Sequence, residues 1–213
     1  MKLSTVFEKE KEMKQLSILF TLIVLSSLSQ AEIYIDEGDF YPSYLQVFND
    51  TAIMTGGTIT ENLYLKDDSH GGIYGGYIGK FLVLDDTSDA SMHGGHVVEG
   101  ISSPEDGRFN WYGGTIEGEI RSGWYNSPSC FSYHKIYGYD FKIDGEAVMD
   151  FILTTQRPSG HLTGFLQDGT AIDNDYAIYG GSTIELVEVV PEPATLLLLG
   201  LGVPMLSGFR RRR

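Results

Sequence analysis

An all-β fold built around a short parallel β-solenoid is what this sequence predicts, and three observations predict it. The 213 residues hold 26 glycines against 7 prolines, a composition that excludes a helical bundle and suits many short strands and turns. Gly-Gly pairs stand at 56–57, 75–76, 94–95 and 113–114, three successive spacings of nineteen residues. Aligning on them puts Met54, Ile73, Met92 and Trp111 in one apolar column and Ile59, Ile78, Val97 and Ile116 in a second. A third column holds Leu63, Leu82, Ile101 and Ile120. A period near twenty with three or four apolar positions fits one coil of a solenoid, which buries its apolar side chains only by stacking on the next coil.

At the N-terminus, Met13-Lys14-Gln15 leads into an apolar stretch from Leu16 to Leu28 and then Ser29-Gln30-Ala31. A basic start, a short apolar core and small residues before the cut predict a secretory signal peptide over residues 1–31, cleaved after Ala31 so that the mature chain begins at Glu32. Met13-Lys14 is itself a good beginning, which makes Met13 a candidate initiator.

Residues 32–120 are the predicted solenoid, with Ile33 to Phe48 as an N-terminal cap or first coil. The Gly-Gly pair turns each corner, where the backbone needs positive φ or close approach. Short strands at Thr58-Ile59, Tyr77-Ile78, His96-Val97 and Thr115-Ile116 then stack in parallel about 4.8 Å apart. The acidic turns Asp67-Asp68 and Asp85-Asp86 fall on the rim. A fourth column, Leu65 and Leu84, fades to Ser103 and Ser122.

After Ile120 the register is lost. Residues 121–138 read as an irregular crossing loop, followed by strands at Tyr139–Ile143, Ala147–Thr154, His161–Leu166, Ala171–Tyr179 and Thr183–Val189, separated by Gly, Pro and Asp-Gly turn signals. Residues 121–189 are therefore expected to be less regular coils or a small antiparallel cap over the solenoid's open edge.

The C-terminus has three parts in order: Val190-Pro191-Glu192-Pro193, an apolar run over 194–209, and Arg210-Arg211-Arg212-Arg213. The run is predicted as a short transmembrane helix with the arginines on the cytoplasmic side. This end, residues 190–213, resembles the PEP-CTERM sorting signal: VPEPATLLLLGLGVP matches its Pro-Glu-Pro box and Leu/Gly-rich helix, and RRRR its basic stop. The resemblance implies export in a Gram-negative-type bacterium, handling by a membrane exosortase near the box, and delivery to the cell surface or extracellular matrix.

Between the two ends, residues 32–190 carry 25 acidic against 7 basic side chains, a net charge of −18. Such a field repels phosphate backbones and argues against a nucleic-acid partner. One cysteine, Cys130, excludes an internal disulfide framework and reads as a small, partly buried side chain. No Gly-x-Ser-x-Gly, His-Glu-x-x-His or phosphate-loop pattern occurs, so no enzyme is predicted. His93 and His96, with Glu99 nearby, form a weak two-histidine metal pattern, and exposed polar repeat positions are the plainer reading. No cofactor is predicted; the sole candidate is weak calcium binding on the rim by Asp67, Asp68, Asp85, Asp86 and Asp89, which lack the Gly-Gly-x-Gly-x-Asp nonapeptide. The expected role is structural or adhesive, in the cell envelope or its matrix. The alternative is a surface carbohydrate-binding or polysaccharide-cleaving protein using Trp111, Tyr112, Trp124 and Tyr125, favoured by an exposed aromatic ladder over one face.

Overall fold

The computed structural model describes residues 32–125 and 129–189. The predicted signal peptide with Ala31, the Pro-Glu-Pro box, the apolar run 194–209 and the arginine cluster lie outside them. Among the described residues no helix is long and apolar enough to cross a membrane.

Five coils stack in parallel, each contributing three short strands to three faces. The first face comprises β1 (Glu32–Ile35), β4 (Thr51–Met54), β7 (His70–Ile73), β10 (Asp89–Met92) and β13 (Arg108–Trp111). The second is the two-residue ladder β2 (Phe40–Tyr41), β5 (Thr58–Ile59), β8 (Tyr77–Ile78), β11 (His96–Val97) and β14 (Thr115–Ile116). The third holds β3 (Leu45–Phe48), β6 (Leu63–Lys66), β9 (Phe81–Leu84), β12 (Gly100–Ser103) and β15 (Glu119–Ser122). The predicted register holds: Thr58 pairs Tyr77, which pairs His96, which pairs Thr115. Ile59, Ile78, Val97 and Ile116 form one inward ladder, each at most 4% exposed.

The corners explain the glycines. The second glycine of each pair has φ of 72, 88, 85 and 84°, a region that L side chains avoid. At Gly76 a Cβ would also lie 2.2 Å from the Gly56 carbonyl oxygen, so coils touch there backbone to backbone. The turn from third to first face uses a different device: Asn49, Asp67 and Asp86 take φ of 52, 56 and 53°, which Asn and Asp tolerate better than other side chains. Asp67 is thus the equivalent of Asp86, nineteen residues on. Ser69 and Ser88 close the same turns from inside, donating to the carbonyls of Lys66 and Asp85 at 2.7 Å each.

Ile33 to Phe48 is a true first coil rather than a separate cap. β1 pairs β4 nineteen residues on, Glu32 with Thr51, but β3 pairs β6 eighteen residues on, Leu45 with Leu63. A four-residue corner, 36–39, replaces the three-residue Gly-Gly corner and hides the repeat.

The fourth column does not fade from the core: Ser103 and Ser122 are both fully buried. Volume is exchanged across the interior. Where the third face carries Leu65, the first face carries Gly71, and a Cβ there would meet Leu65 at 2.5 Å. Along the first face the column runs Ala52, Gly71, Ala90, Phe109, His134, small where the opposite column is leucine and aromatic where it is serine. The two columns thus compensate in the direction that close-packed interiors require.

Beyond β15 the register resumes earlier than the sequence reading placed it. β16 (Tyr133–Ile143) adds a sixth strand to the first face, pairing Tyr133 with Arg108, an offset of twenty-five residues. The repeat has thus taken a six-residue insertion, and the crossing loop ends at Ser132 rather than residue 138. The long strand β16 then leaves the stack and pairs β19 (Ser159–Leu166) in antiparallel fashion, and β19 returns as the hairpin partner of β20 (Ala171–Ile178). β20 joins the third face, Ile120 opposite Tyr176. The hairpin therefore ties the first and third faces into one continuous sheet across the end. The second face has no such continuation; instead the buried Asn174 side chain donates to Ile116 O at 2.7 Å and Gly118 O at 2.8 Å, satisfying carbonyls that would otherwise face an open edge. On its other edge β16 pairs β21 (Thr183–Glu188) in parallel and then β17 (Glu146–Ala147). The predicted strand 147–154 is only this fragment and β18 (Ile152–Leu153), which pairs β21.

Candidate functional site

Where the six-residue insertion leaves the third face, Trp124 closes one side of a concavity. On the outer side of the third face, Val83 and Ser102 point outward yet are only 8% and 7% exposed, because neighbouring side chains rise around them. They form the floor of a groove of about 530 Å³ whose walls include Asn62, Tyr64, Phe81, Pro104, Arg121 and Trp124, with Asp85 and Glu105 at its lip. That volume lies in the range of small-ligand sites.

Each wall is set by the local backbone. Asn62 is fixed twice, its amide donating to the Tyr64 hydroxyl at 2.7 Å and its oxygen accepting from Phe81 N at 3.0 Å. Arg121 lies over the Phe81 ring at 5.8 Å and is held by Glu119 through Nε and Nη2 at 3.0 and 2.6 Å. Trp124 arrives by a turn: Gly123 at φ 86° swings the chain off β15, and Trp124 stays half exposed. Its backbone is clamped by the buried Cys130, whose sulfur accepts from Trp124 N at 3.3 Å. Asp106 ties the far side of the same loop by accepting from Phe131 N at 2.9 Å. Cys130, read from the sequence as a small, partly buried side chain, is fully buried, and its position makes it a strut for Trp124.

Electrostatically the lip is acidic. Asp85 is paired with Lys66 at 3.2 Å. Partial burial, a hydrogen bond with Asp86 and the charges of Asp86 and Asp85 hold the Glu105 carboxyl above the usual carboxylate range.

The four predicted sugar-contact aromatics do not converge. Trp111 is 1% exposed and packs in the core, its Nε1 donating to Gly113 O at 3.2 Å; as a contact residue it is corrected, because the inward parity of β13 fixes its direction. Tyr112 stands on a different face. There an aromatic ladder does run up the outside, Tyr74 on His93 at 5.1 Å, His93 on Tyr112 at 4.6 Å and Tyr112 on Tyr137 at 4.2 Å, all near parallel. His93 and Tyr112 are each stacked on two neighbours and present edges, whereas Tyr74 at the ladder's end stays more than half exposed. Burial, and then its hydrogen bond with Tyr112, pushes the Tyr137 phenol up to about 12. An aromatic ladder over one face is the feature that the sequence reading took as favouring carbohydrate binding; of the four named aromatics, Tyr112 belongs to it. Tyr125 is largely exposed and sits edge-on to Tyr179. Trp124 alone of the four lines the groove.

The other sequence candidates are spread out. His93 lies in the ladder, whereas His96 is 2.9 Å from Glu117 and edge-on to Tyr77. Of the rim acids, Asp86 accepts from Asp67 N, Asp68 from the Thr87 hydroxyl, and Asp89 pairs His70. Among the described residues no three acidic, histidine or cysteine side chains gather where they could hold a metal ion.

The groove was missed in the sequence because its floor is a polar-apolar mixture, Val83 and Ser102, with no periodic signal. What could have found it is the offset of twenty-five between Trp111 and Ile136, since insertions in repeat proteins map to loops on one face.

A comparison with protein families matches residues 189–213 to the PEP-CTERM protein-sorting motif. The match implies an exported chain that transits the membrane and is processed by exosortase, a membrane enzyme. No curated protein and no solved structure matches the chain.

Proposed function

We propose that this is a non-catalytic adhesive element of the cell surface or extracellular matrix, sorted through its C-terminal signal and holding neutral extracellular polysaccharide in the Trp124 groove. The observation that carries the reading is the insertion itself: the chain leaving β15 there places a half-exposed tryptophan beside a floor ringed by Tyr64, Phe81, Asn62 and Arg121. Flat aromatic rings beside amide and guanidinium donors suit the alternating C–H faces and hydroxyls of a sugar. The charge of −18 disfavours polyanionic glycans by repulsion. Glu119 and Asp85 are engaged by Arg121 and Lys66.

Affinity electrophoresis of the exported protein checks this. Mobility should fall in gels containing a neutral β-glucan and stay unchanged in gels containing a polyuronate. Trp124→Ala should weaken the neutral-glycan interaction at least tenfold, about 1.4 kcal/mol or more, as loss of a central aromatic anchor does. Equal retardation of wild type and variant would remove the groove from the reading.

The sorting half has its own test. Replacing Pro191-Glu192-Pro193 by alanines should leave insertion intact and block processing, so uncut precursor accumulates in the membrane fraction of an exosortase-bearing host. Normal processing of that variant would reduce the tail to a plain membrane anchor.

A further inference from the structure

The outward side chains of the third face stand in rows along the rod, and one row makes the centre of the groove. Tyr64 pairs Val83, Val83 pairs Ser102 and Ser102 pairs Arg121, each step about 4.8 Å. Long side chains therefore rise at the two ends of the row and short ones lie between. Arg121 reaches the Phe81 ring, two coils away, across Gly100, which has no side chain to stop it. A Cβ there would meet Glu119 O at 2.1 Å.

Three groups around this floor keep unused capacity. Ser102 is 7% exposed and lines the groove, yet its hydroxyl makes no hydrogen bond among the described residues. A buried hydroxyl left without a partner costs free energy that a ligand recovers by bonding to it. Val83, one strand spacing away, offers an apolar contact at the same depth. Two residues beyond Val83, on the same side of the strand, Asp85 meets Lys66 through Oδ2 and keeps Oδ1 as an acceptor at the lip. A hydroxyl donor, a methyl-sized apolar surface and a carboxylate thus lie side by side.

An acetamido group carries the complement of all three: a carbonyl oxygen, a methyl and an N–H, directed apart from one planar core. A plain sugar hydroxyl engages Ser102 but leaves Val83 uncovered. A sugar carboxylate faces Asp85 and Glu105 with like charge. A free ammonium pairs with the lip but brings Ser102 no acceptor and Val83 nothing apolar.

Resting on the groove reading, we infer that the glycan unit held beside Trp124 is an N-acetylated amino sugar, its carbonyl oxygen accepting from Ser102 Oγ, its methyl resting on Val83 and its N–H donating to Asp85. Ser102 is then the residue that sets the groove's preference among neutral glycans.

Calorimetric titration of the exported protein with three β-1,4-linked tetramers, of N-acetylglucosamine, glucose and glucosamine, tests this, because they differ at C2 alone. The N-acetylglucosamine tetramer should bind at least tenfold more tightly than the other two, the size of a methyl contact and a hydrogen bond together. Ser102→Ala should weaken it at least fivefold and leave the urea midpoint unchanged or higher, since that variant removes a buried hydroxyl with no partner. Val83→Thr, which sets a second hydroxyl where the methyl rests, should also narrow the preference. Equal binding of the glucose tetramer, tighter binding of the glucosamine tetramer, or full preference retained in either variant overturns the inference. So does a lowered midpoint in Ser102→Ala, which makes the serine a support of the fold. Trp124→Ala separates the two failures. If the tetramers bind alike and all need Trp124, the groove reading stands and the acetamido unit alone falls; if none binds, or none needs Trp124, the groove reading falls with it.

Discussion

The protein should lose stability steeply as pH falls below neutrality, and one side chain should account for much of the slope. His134 is fully buried in the C-terminal coil, its Nε2 2.8 Å from Ser103 Oγ and its ring edge-on to Phe109. Its Nδ1 has no hydrogen-bond partner, and burial pushes its pKa down to about 3. Above pH ~6.5 the imidazole is neutral both folded and unfolded, and nothing is lost. Below that the unfolded chain takes up a proton that the native chain refuses until pH about 3. Stability therefore falls by about 1.4 kcal/mol per pH unit through this window, roughly 2–3 kcal/mol by pH ~4.5. The exposed His161 acts in the opposite sense. Its hydrogen bonds to Asp175 and Asp173 raise its pKa, so its contribution is present below the unfolded value and disappears as pH rises through the folded one. Denaturant unfolding at neutral pH and near pH ~4.5 should show wild type losing about 2–3 kcal/mol more than His134→Gln, which keeps a polar partner for Ser103 and cannot charge. Parallel losses in the two proteins would exclude His134 as the cause.

The second large effect separates the two tryptophans. Trp111→Ala removes the largest of the fully buried side chains and leaves Gly113 O without its indole donor. Neighbours two coils deep cannot collapse into the space, because their backbones are already in contact at the Gly-Gly corners. A loss of about 3–5 kcal/mol is expected, a large share of the total stability of an ordinary domain. Trp124→Ala, half exposed at the lip of the groove, should change stability by no more than about 0.5–1 kcal/mol. Thermal or urea unfolding checks both. A Trp124 variant as unstable as the Trp111 variant would mean that the loop supports the core rather than a ligand.

How legible this was in the sequence varies with the range of the interaction. The nineteen-residue columns were readable because each coil repeats the same local demands: positive φ at Gly57, Gly76, Gly95 and Gly114, and an inward apolar residue at Ile59 and its equivalents. The first coil was blurred by a single extra corner residue. Ser103 and Ser122 looked like the end of a column because their partners are remote: His134, thirty-one residues from Ser103, and Ser132 across the insertion. Asn174, which seals the second face by bonding to Ile116 fifty-eight residues away, has no local signature. The aromatics were found as a group but sorted wrongly, since composition counts Trp111 and Trp124 alike while strand parity sends one inward and a glycine turn sends the other out.

The hairpin β19–β20 has a mechanical consequence. Because the strands run across the stacking axis, tension along the rod loads one ladder at a time and peels coils rather than shearing them. At the C-terminal end the hairpin links two faces, so peeling there must break both together; at the N-terminal end β1, β2 and β3 each have a partner on one side only among the described residues. A molecule stretched by its two ends should thus unravel from Glu32 inward. Each coil would release nineteen residues, or about 60–70 Å of contour at full extension. A chain gripped instead at the Trp124 groove and held at its C-terminal end would carry load through the last coil and the cap alone, leaving the first coils slack.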